Sequence, residues 1–281
     1  MKKRKTVLDL RKMKADSQKI AMVTAYDYSM AKIVDAGGVD CVLVGDSLGM
    51  VVQGHQDTLS VTMNDMVYHA ACVNRGLQRA HLVVDMPFMS YQVSVEQALQ
   101  NAGRLVKEAG AQSVKLEGGQ NICPQITAIV KAGIPVVAHL GLTPQAIHAL
   151  GGFRVQGKSE DAQEQLKKDA LLVQEAGASL LVLEMLPAQL AQEITEMLDI
   201  PTVGIGAGVH CDGQVLVCND LLGFDLSFQP KFLKRYATLQ SQMEDAIQQY
   251  VEEVRSMRFP AKEHSFGTSK NVVSEKITKL Y

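Results

Sequence analysis

The chain has 281 residues, of which 47% are hydrophobic, and a formal net charge of −2. This length and apolar content support one large core, and a single α/β domain of about 250 residues is common. Nucleic-acid partners usually require a basic stripe, so the charge argues against one. The basic start, MKKRKTVLDLRKMKADSQK, lacks the apolar run of a signal peptide, and no stretch approaches the roughly 20 apolar residues of a membrane span. We therefore expect a cytoplasmic protein that does not contact membranes.

Eight apolar segments are predicted to be strands. They are short, rich in β-formers and not alternating, which is typical of strands buried on both faces. Several follow a helix that stops at glycine, as at Ala109-Gly110 and Ala176-Gly177, because a helix often ends on a left-handed residue. The predicted strands lie near residues 20–25, 41–45, 81–85, 112–117, 135–139, 179–184, 201–205 and 214–218.

Alternation of these strands with helices predicts a parallel sheet with helices outside it, and eight such units favour a closed (β/α)8 TIM barrel. No G-x-G-x-x-G follows the first strand, which argues against a Rossmann fold. Two long connections, 47–63 and 141–158, are candidate functional loops. We expect one barrel domain over residues 1–281, with an N-terminal arm at about 1–18 and a polar C-terminal tail at about 258–281.

Three helices have clear sequence signals. Ser94 with Gln97 forms a capping-box pattern, and Ser159, followed by two acids, predicts the start of a helix that ends near Gly177. The segment 231–257 has the pattern of an amphipathic helix. The five cysteines are odd in number and form no C-x-x-C pair, so a disulfide framework or a zinc site is not expected.

Acidic residues lie at the carboxyl ends of four of the predicted strands. Any one of them alone could be an ordinary loop residue, but the carboxyl ends of parallel barrel strands form one active-site mouth, where the four should converge. Carboxylates in a low-dielectric mouth repel one another unless a cation lies among them. Oxygen ligands suit magnesium, and zinc is disfavoured without a Cys or His cluster. The acids are Asp46, Asp85, Glu117 and Glu184.

Two basic side chains belong to the same strand ends. Lys115 lies two residues before Glu117, so alternation places both on one face of the strand, and a lysine directed into a barrel must meet an anion. His139 ends the fifth strand, where a lone histidine is often structural, and it is kept as a possible site residue. The glycine run 204–208, GIGAG, fits a phosphate cradle and a tight turn equally well.

Two long and unusual strings, VGDSLGMVVQGH and GGFRVQG, make the chain recognisable, together with TAYDYSMAKIVDAG, DMPFMSY, VKLEGG, HLGLTPQ, LLVLEMLP and GIGAG. Over roughly residues 20 to 267 the sequence resembles the ketopantoate hydroxymethyltransferase family. The resemblance implies transfer of a one-carbon hydroxymethyl unit from 5,10-methylenetetrahydrofolate to 3-methyl-2-oxobutanoate, forming 2-dehydropantoate in pantothenate biosynthesis. It also implies bound Mg²⁺, a barrel of the phosphoenolpyruvate/pyruvate type and a homodecamer of two pentameric rings.

Residue by residue, the resemblance assigns roles to the strand-end groups. Asp46 and Asp85 match direct magnesium ligands that also contact substrate, and Glu117 matches an acid that holds metal-bound water. Ser47 and Lys115 match residues that hold the carboxylate and oxo oxygens of the oxo acid.

The resemblance makes Glu184 the general base, and the chemistry agrees with this role. A metal chelated by the carboxylate and 2-oxo oxygens stabilises the enolate that forms when C3 loses its proton. The base must then reach C3 from beyond the metal ligands, as a group on the sixth strand can. His139 is the next candidate base.

Two alternatives stay open. A related magnesium-dependent lyase or mutase barrel usually carries a cysteine lid motif such as K-K-C-G-H, and none occurs here. A non-catalytic barrel should have lost some of the strand-end acids, whereas this chain keeps all four. Fold alone does not separate these possibilities.

Overall fold

The computed structural model describes residues 4–267 as a closed barrel of eight parallel strands. The strands pair in chain order, and β8 pairs with β1. All eight predicted strands are present, with bounds that differ from the prediction by no more than two residues. The strands are β1 (Ile20–Thr24), β2 (Cys41–Val44), β3 (His81–Asp85), β4 (Ser113–Glu117), β5 (Val136–Gly141), β6 (Leu180–Glu184), β7 (Thr202–Ile205) and β8 (Gly213–Leu216).

Helices connect the strands around the outside of the barrel. Ser94 and Ser159 cap two of them as predicted, because each hydroxyl accepts a hydrogen bond from the amide three residues later. The helices are α1 (Val7–Ala15), α2 (Tyr28–Ala36), α3 (Leu48–Val51), α4 (Met63–Gly76), α5 (Val95–Ala109), α6 (Cys123–Lys131), α7 (Ile147–Leu150), α8 (Glu160–Glu175), α9 (Ala188–Met197), α10 (Cys218–Leu222) and α11 (Leu239–Arg255).

Two apolar layers hold the barrel together. One lies between the strands and the surrounding helices, and the other fills the barrel interior with residues such as Met22, Leu43 and Val182. Leu10 and Met13 of α1 belong to the interior layer, so this helix closes the amino end of the barrel. The interior is therefore packed at that end, and the charged groups occupy the carboxyl end.

The predicted helix over 231–257 is wrong at its start, because α11 begins at Leu239. The Arg235 guanidinium donates to the carbonyls of Leu226 and Phe228, and the Tyr236 amide donates to the carbonyl of Leu221. These bonds hold residues 231–238 against the preceding loop in a non-helical path. The predicted polar tail lies partly outside the described residues, since 268–281 are not among them.

Within residues 4–267, no helix combines the length and the apolar character that crossing a membrane requires.

Candidate active site

The charged side chains at the mouth come from inward-facing positions of three neighbouring strands. Strand register places Asp85 beside Lys115 and Glu117 beside His139. Because side chains alternate along a strand, Lys115 and Glu117 both point into the barrel, as predicted. All four side chains are buried, so the two acids and the two basic groups share one interior space.

Lys115 binds the acid of the neighbouring strand. Its Nζ lies 2.8 Å from Asp85 Oδ1 and 3.9 Å from Glu117 Oε1. Burial by itself lowers the pKa of Lys115, but the charges of Asp85, Glu117 and Asp46 outweigh it, so the pKa lies above its ordinary value. Lys115 is therefore an ammonium group at neutral pH.

His139 links two carboxylates of the mouth. Its Nδ1 lies 3.2 Å from Glu117 Oε1, and its Nε2 lies 3.3 Å from Glu184 Oε2. Burial and the charge of Lys115 lower the pKa of His139, but its contacts with Glu117 and Glu184 prevail and raise the pKa to about 9. Burial by itself would raise the pKa of Glu117, but the contact with His139 outweighs burial, so the pKa of Glu117 lies below its ordinary value. Glu117 is therefore a carboxylate and His139 an imidazolium cation at neutral pH.

Asp46 follows β2 and completes the set of acids. Its backbone N–H donates to Asp85 Oδ2 over 3.1 Å. Burial and then the charges of Asp85 and Glu117 hold the pKa of Asp46 well above its ordinary value. In the part of the chain that the structure describes, the ion pairs at the mouth involve the other three acids and not Asp46.

Ser47 lies beside the acids at the start of α3. The Tyr26 hydroxyl lies 2.8 Å from Ser47 Oγ. A Cβ at position 45 would lie 2.8 Å from Ser47 Oγ and 3.4 Å from Asp85 Oδ2, so Gly45 allows this close approach. The structure thus brings together all seven residues that the sequence proposed for the site.

Sequence reasoning missed Gln145 and Tyr91, two buried residues that join the acids. The Gln145 side-chain amide donates to Asp46 Oδ2 over 2.8 Å, and its backbone N–H donates to Glu117 Oε2 over 3.0 Å. The Tyr91 hydroxyl lies 2.7 Å from Gln145 Oε1. The available signal was the position of Gln145 within the long connection 141–158.

The structure also locates two other sequence features, the GIGAG run and the cysteines. In the GIGAG run, a Cβ at Gly208 would lie 2.5 Å from the Cβ of Ala188, so this turn packs closely against α9. All five cysteines are free.

A family model and the sequence relatives agree on one family. A family model described as ketopantoate hydroxymethyltransferase matches residues 4–262. The chain belongs to this family. It is 57% identical to the 3-methyl-2-oxobutanoate hydroxymethyltransferase of Pelobacter propionicus, over 95% of this chain and 99% of that protein. The relative of the same name from Enterococcus faecalis is 52% identical over 98% of this chain and 99% of that protein.

Solved structures of similar fold come from other enzymes. Phosphoenolpyruvate phosphomutase from Streptomyces platensis subsp. rosaceus has a TM-score of 0.60 at 14% identity, covering 90% of this chain and 88% of that one. A 2,3-dimethylmalate lyase of the PEP mutase/isocitrate lyase superfamily has a TM-score of 0.56 at 14% identity, covering 92% and 91%. At this identity the likeness shows the fold alone. The close relatives place the chain among the ketopantoate hydroxymethyltransferases, which are enzymes, rather than among the lyases or mutases.

The donor set at the mouth fits a magnesium ion. With all four acids ionised, four carboxylates face two cations, Lys115 and His139, and one divalent cation would balance the remaining charge. Asp85 Oδ1 is buried and lies 2.8 Å from the Lys115 ammonium. Among residues 4–267, no three His, Cys, Asp or Glu residues are grouped to hold a metal, but magnesium is commonly bound by one or two carboxylates with waters and substrate oxygens.

Proposed function

We propose that this chain transfers a hydroxymethyl unit from 5,10-methylenetetrahydrofolate to 3-methyl-2-oxobutanoate, forming 2-dehydropantoate for pantothenate biosynthesis. Membership of the ketopantoate hydroxymethyltransferase family supports this proposal. The observation that carries it is the row of charged groups across the mouth. Asp85 and Glu117, which contact Lys115 and His139, lie at one end of the row. Glu184, which is more exposed, lies at the other.

Mg²⁺ would be held by Asp46 and Asp85, with Glu117 acting through water. When bound, it would act as a Lewis acid on the carboxylate and 2-oxo oxygens of the substrate. Among residues 4–267 Asp46 forms no ion pair, and burial and the neighbouring carboxylates raise its pKa, which supports a role for this group as a ligand of a cation.

Lys115 and Ser47 bind the oxygens of the oxo acid in this proposal. The Lys115 ammonium is charged and lies at the centre of the mouth, where it offers protons to the substrate as well as to Asp85. The Ser47 hydroxyl is held in position by the Tyr26 hydroxyl. Together they would orient the substrate so that its C3 atom faces Glu184.

Glu184 is the proposed general base. Its side chain is 16% exposed, whereas those of Asp85 and Glu117 are 3% exposed, so a substrate atom at the mouth can reach it. It takes the proton from C3, and the electron pair of the C–H bond remains on the substrate as the enolate. Water cleaves both C–N bonds of the methylene bridge of the folate, so tetrahydrofolate leaves with the two protons of that water and the one-carbon unit is released at the oxidation level of formaldehyde. C3 then bonds to this carbon, and the alkoxide that forms takes up a proton to become the hydroxyl of the hydroxymethyl group.

His139 supports Glu184 rather than replacing it. An imidazolium cation has no free lone pair to accept a proton, and the raised pKa of about 9 keeps His139 in that form at neutral pH. Its Nε2 lies 3.3 Å from Glu184 Oε2, which orients the carboxylate towards the mouth.

Exchange of the C3 proton with solvent deuterium, measured without folate, tests the role of the base. Glu184→Gln should slow the exchange by about 10²–10⁴-fold, the usual contribution of a general base. It should still bind the oxo acid, because Lys115 and Ser47 remain. The control Glu175→Gln changes an exposed acid at the end of α8 and should exchange normally. Exchange in Glu184→Gln as fast as in the native enzyme would assign the base to another residue.

We also propose that the protein is a cytoplasmic homodecamer. Helix α11 supports an assembly, because none of its residues is buried in the single chain. Its exposed apolar side chains include Met243, Ile247, Tyr250 and Val254, which recur at helical spacing and form one stripe. A stripe of this kind is usually covered by another protein surface.

A further inference from the structure

We propose that Gln145 is a positioning residue that holds Asp46 in the orientation needed to bind the metal. This inference rests on the proposed function, because it assumes that Asp46 is a magnesium ligand. Gln145 contacts two of the proposed metal-site acids at once, Asp46 through its side chain and Glu117 through its backbone N–H. It lies in the short 3₁₀ turn that follows β5.

The hydrogen bonds of the Gln145 amide fix its orientation. Its Oε1 lies 2.7 Å from the Tyr91 hydroxyl and accepts a bond from Gln92 over 3.1 Å. Its Nε2 donates to Asp46 Oδ2 over 2.8 Å and to the Met86 carbonyl over 2.9 Å. Both protons and both lone pairs of the amide are therefore used, and a flipped amide would lose its bonds to Asp46 and Met86, whose oxygens accept and cannot donate.

Asp46 is oriented by a neutral donor, the Gln145 amide, whereas the neighbouring acids are held by cations. Asp85 and Glu117 each lie within 4.0 Å of the Lys115 ammonium, and Glu117 also contacts His139. For Asp46, the side-chain donor that the structure shows is the Gln145 amide. Partners of this kind that orient a ligand carboxylate commonly contribute 10–100-fold to metal affinity.

The alternative is that Gln145 only stabilises the loop. Its bonds to Met86 and Tyr91 tie the connections after β3 and β5 together, so loss of the amide could destabilise the fold without affecting the metal. Metal affinity, measured separately from thermal stability, distinguishes the two roles.

Magnesium titration by calorimetry, without substrates, provides this measurement. Gln145→Met keeps an unbranched side chain of similar length and removes both donors. We expect its Mg²⁺ dissociation constant to rise about 10–100-fold. Turnover should recover at high Mg²⁺ concentration, because the loss is one of metal binding.

The matched control is Gln125→Met. Gln125 is also buried, and its amide donates to the Tyr91 carbonyl over 3.3 Å; within the described part of the chain it forms no hydrogen bond to an acid. It should keep the native Mg²⁺ affinity. Melting temperatures in EDTA report any loss of stability in either variant.

If Gln145→Met does not fold, Tyr91→Phe decides. It retains the ring and removes the hydroxyl that fixes the amide, so the Mg²⁺ affinity should fall several-fold. Native affinity in Gln145→Met, or in Tyr91→Phe where only that variant folds, would overturn the positioning role and leave the proposed function intact. Absence of Mg²⁺ binding by the native enzyme would overturn both the positioning role and the metal in the proposed function.

Discussion

His81 begins β3 at the amino end of the barrel, opposite the charged mouth. Its Nδ1 lies 3.1 Å from the Lys5 carbonyl, and its Nε2 lies 2.7 Å from Ser113 Oγ. Because a carbonyl only accepts, Nδ1 carries the proton, and Nε2 accepts from the Ser113 hydroxyl. Burial lowers the pKa of His81 from 6.5 to about 4, so the folded protein holds a neutral ring at neutral pH.

We expect His81 to make the fold less stable as the pH falls from about 6.5 to about 4. The unfolded chain binds the proton at higher pH than the folded one, so the contribution is complete above 6.5 and is lost as the pH falls through 4. The full difference is about 3 kcal/mol. Urea denaturation of the native protein and His81→Asn between pH 7 and pH 4 measures it. Parallel pH profiles for the two proteins would contradict this assignment.

At the scale of residues, the sequence predicted the groups that follow strands and missed those that lie in loops. Asp85 and Glu184 could be predicted because each ends an apolar run, and barrel strands all end at one mouth. Gln145 and Tyr91 follow no such rule. Their positions depend on how two loops fold over the mouth, and one sequence without contacts does not determine this.

The turn after β5 lies next to the proposed base, Glu184, and its backbone contacts the end of β6. Gly141 has a φ of 97°, and a Cβ there would overlap the backbone carbonyl of Glu184. The same carbonyl accepts a hydrogen bond from the Leu142 amide over 2.8 Å. This glycine therefore allows the end of β5 to pair closely with the end of β6, next to the proposed base.

Gly141→Ala should lower both stability and turnover. A residue with a side chain is strained at this φ by about 1–2 kcal/mol, and relief of the overlap displaces the end of β6. Gly133→Ala is the matched control, because Gly133 has a φ of 86° with no atom within 4 Å of the added Cβ. It should lose stability from φ alone and keep its turnover. Equal turnover in the two variants would show that the overlap at Glu184 does not affect the site.

At the scale of elements, the barrel could be predicted because doubly buried parallel strands appear in sequence as apolar runs. β8 too lies within two residues of its predicted bounds. The start of α11 could not be predicted in this way. The segment 231–238 has helical periodicity, but Arg235 and Tyr236 bind backbone groups that are distant in sequence.

For the whole molecule, the exposed apolar stripe of α11 predicts assembly in solution. Light scattering at micromolar concentration should show a particle about ten times the mass of the 30.6 kDa chain. Ile247→Asp places a charge in the middle of the stripe and should reduce the particle mass if α11 lies in an interface. A stable 30.6 kDa monomer of the native protein would rule out the decamer. Composition does not determine how many copies assemble, and the decamer itself rests on the family resemblance.

We propose above all that the residues of the barrel mouth catalyse the transfer of a one-carbon unit to 3-methyl-2-oxobutanoate, and that this reaction requires Mg²⁺. Incubation of the purified protein with the oxo acid, 5,10-methylenetetrahydrofolate and Mg²⁺, followed by mass spectrometry of the products, tests it most directly. We expect 2-dehydropantoate when all three are present, none when the folate is omitted, and loss of activity in EDTA that added Mg²⁺ restores. The absence of 2-dehydropantoate from the complete mixture, or its undiminished formation after the metal is removed, would contradict the claim.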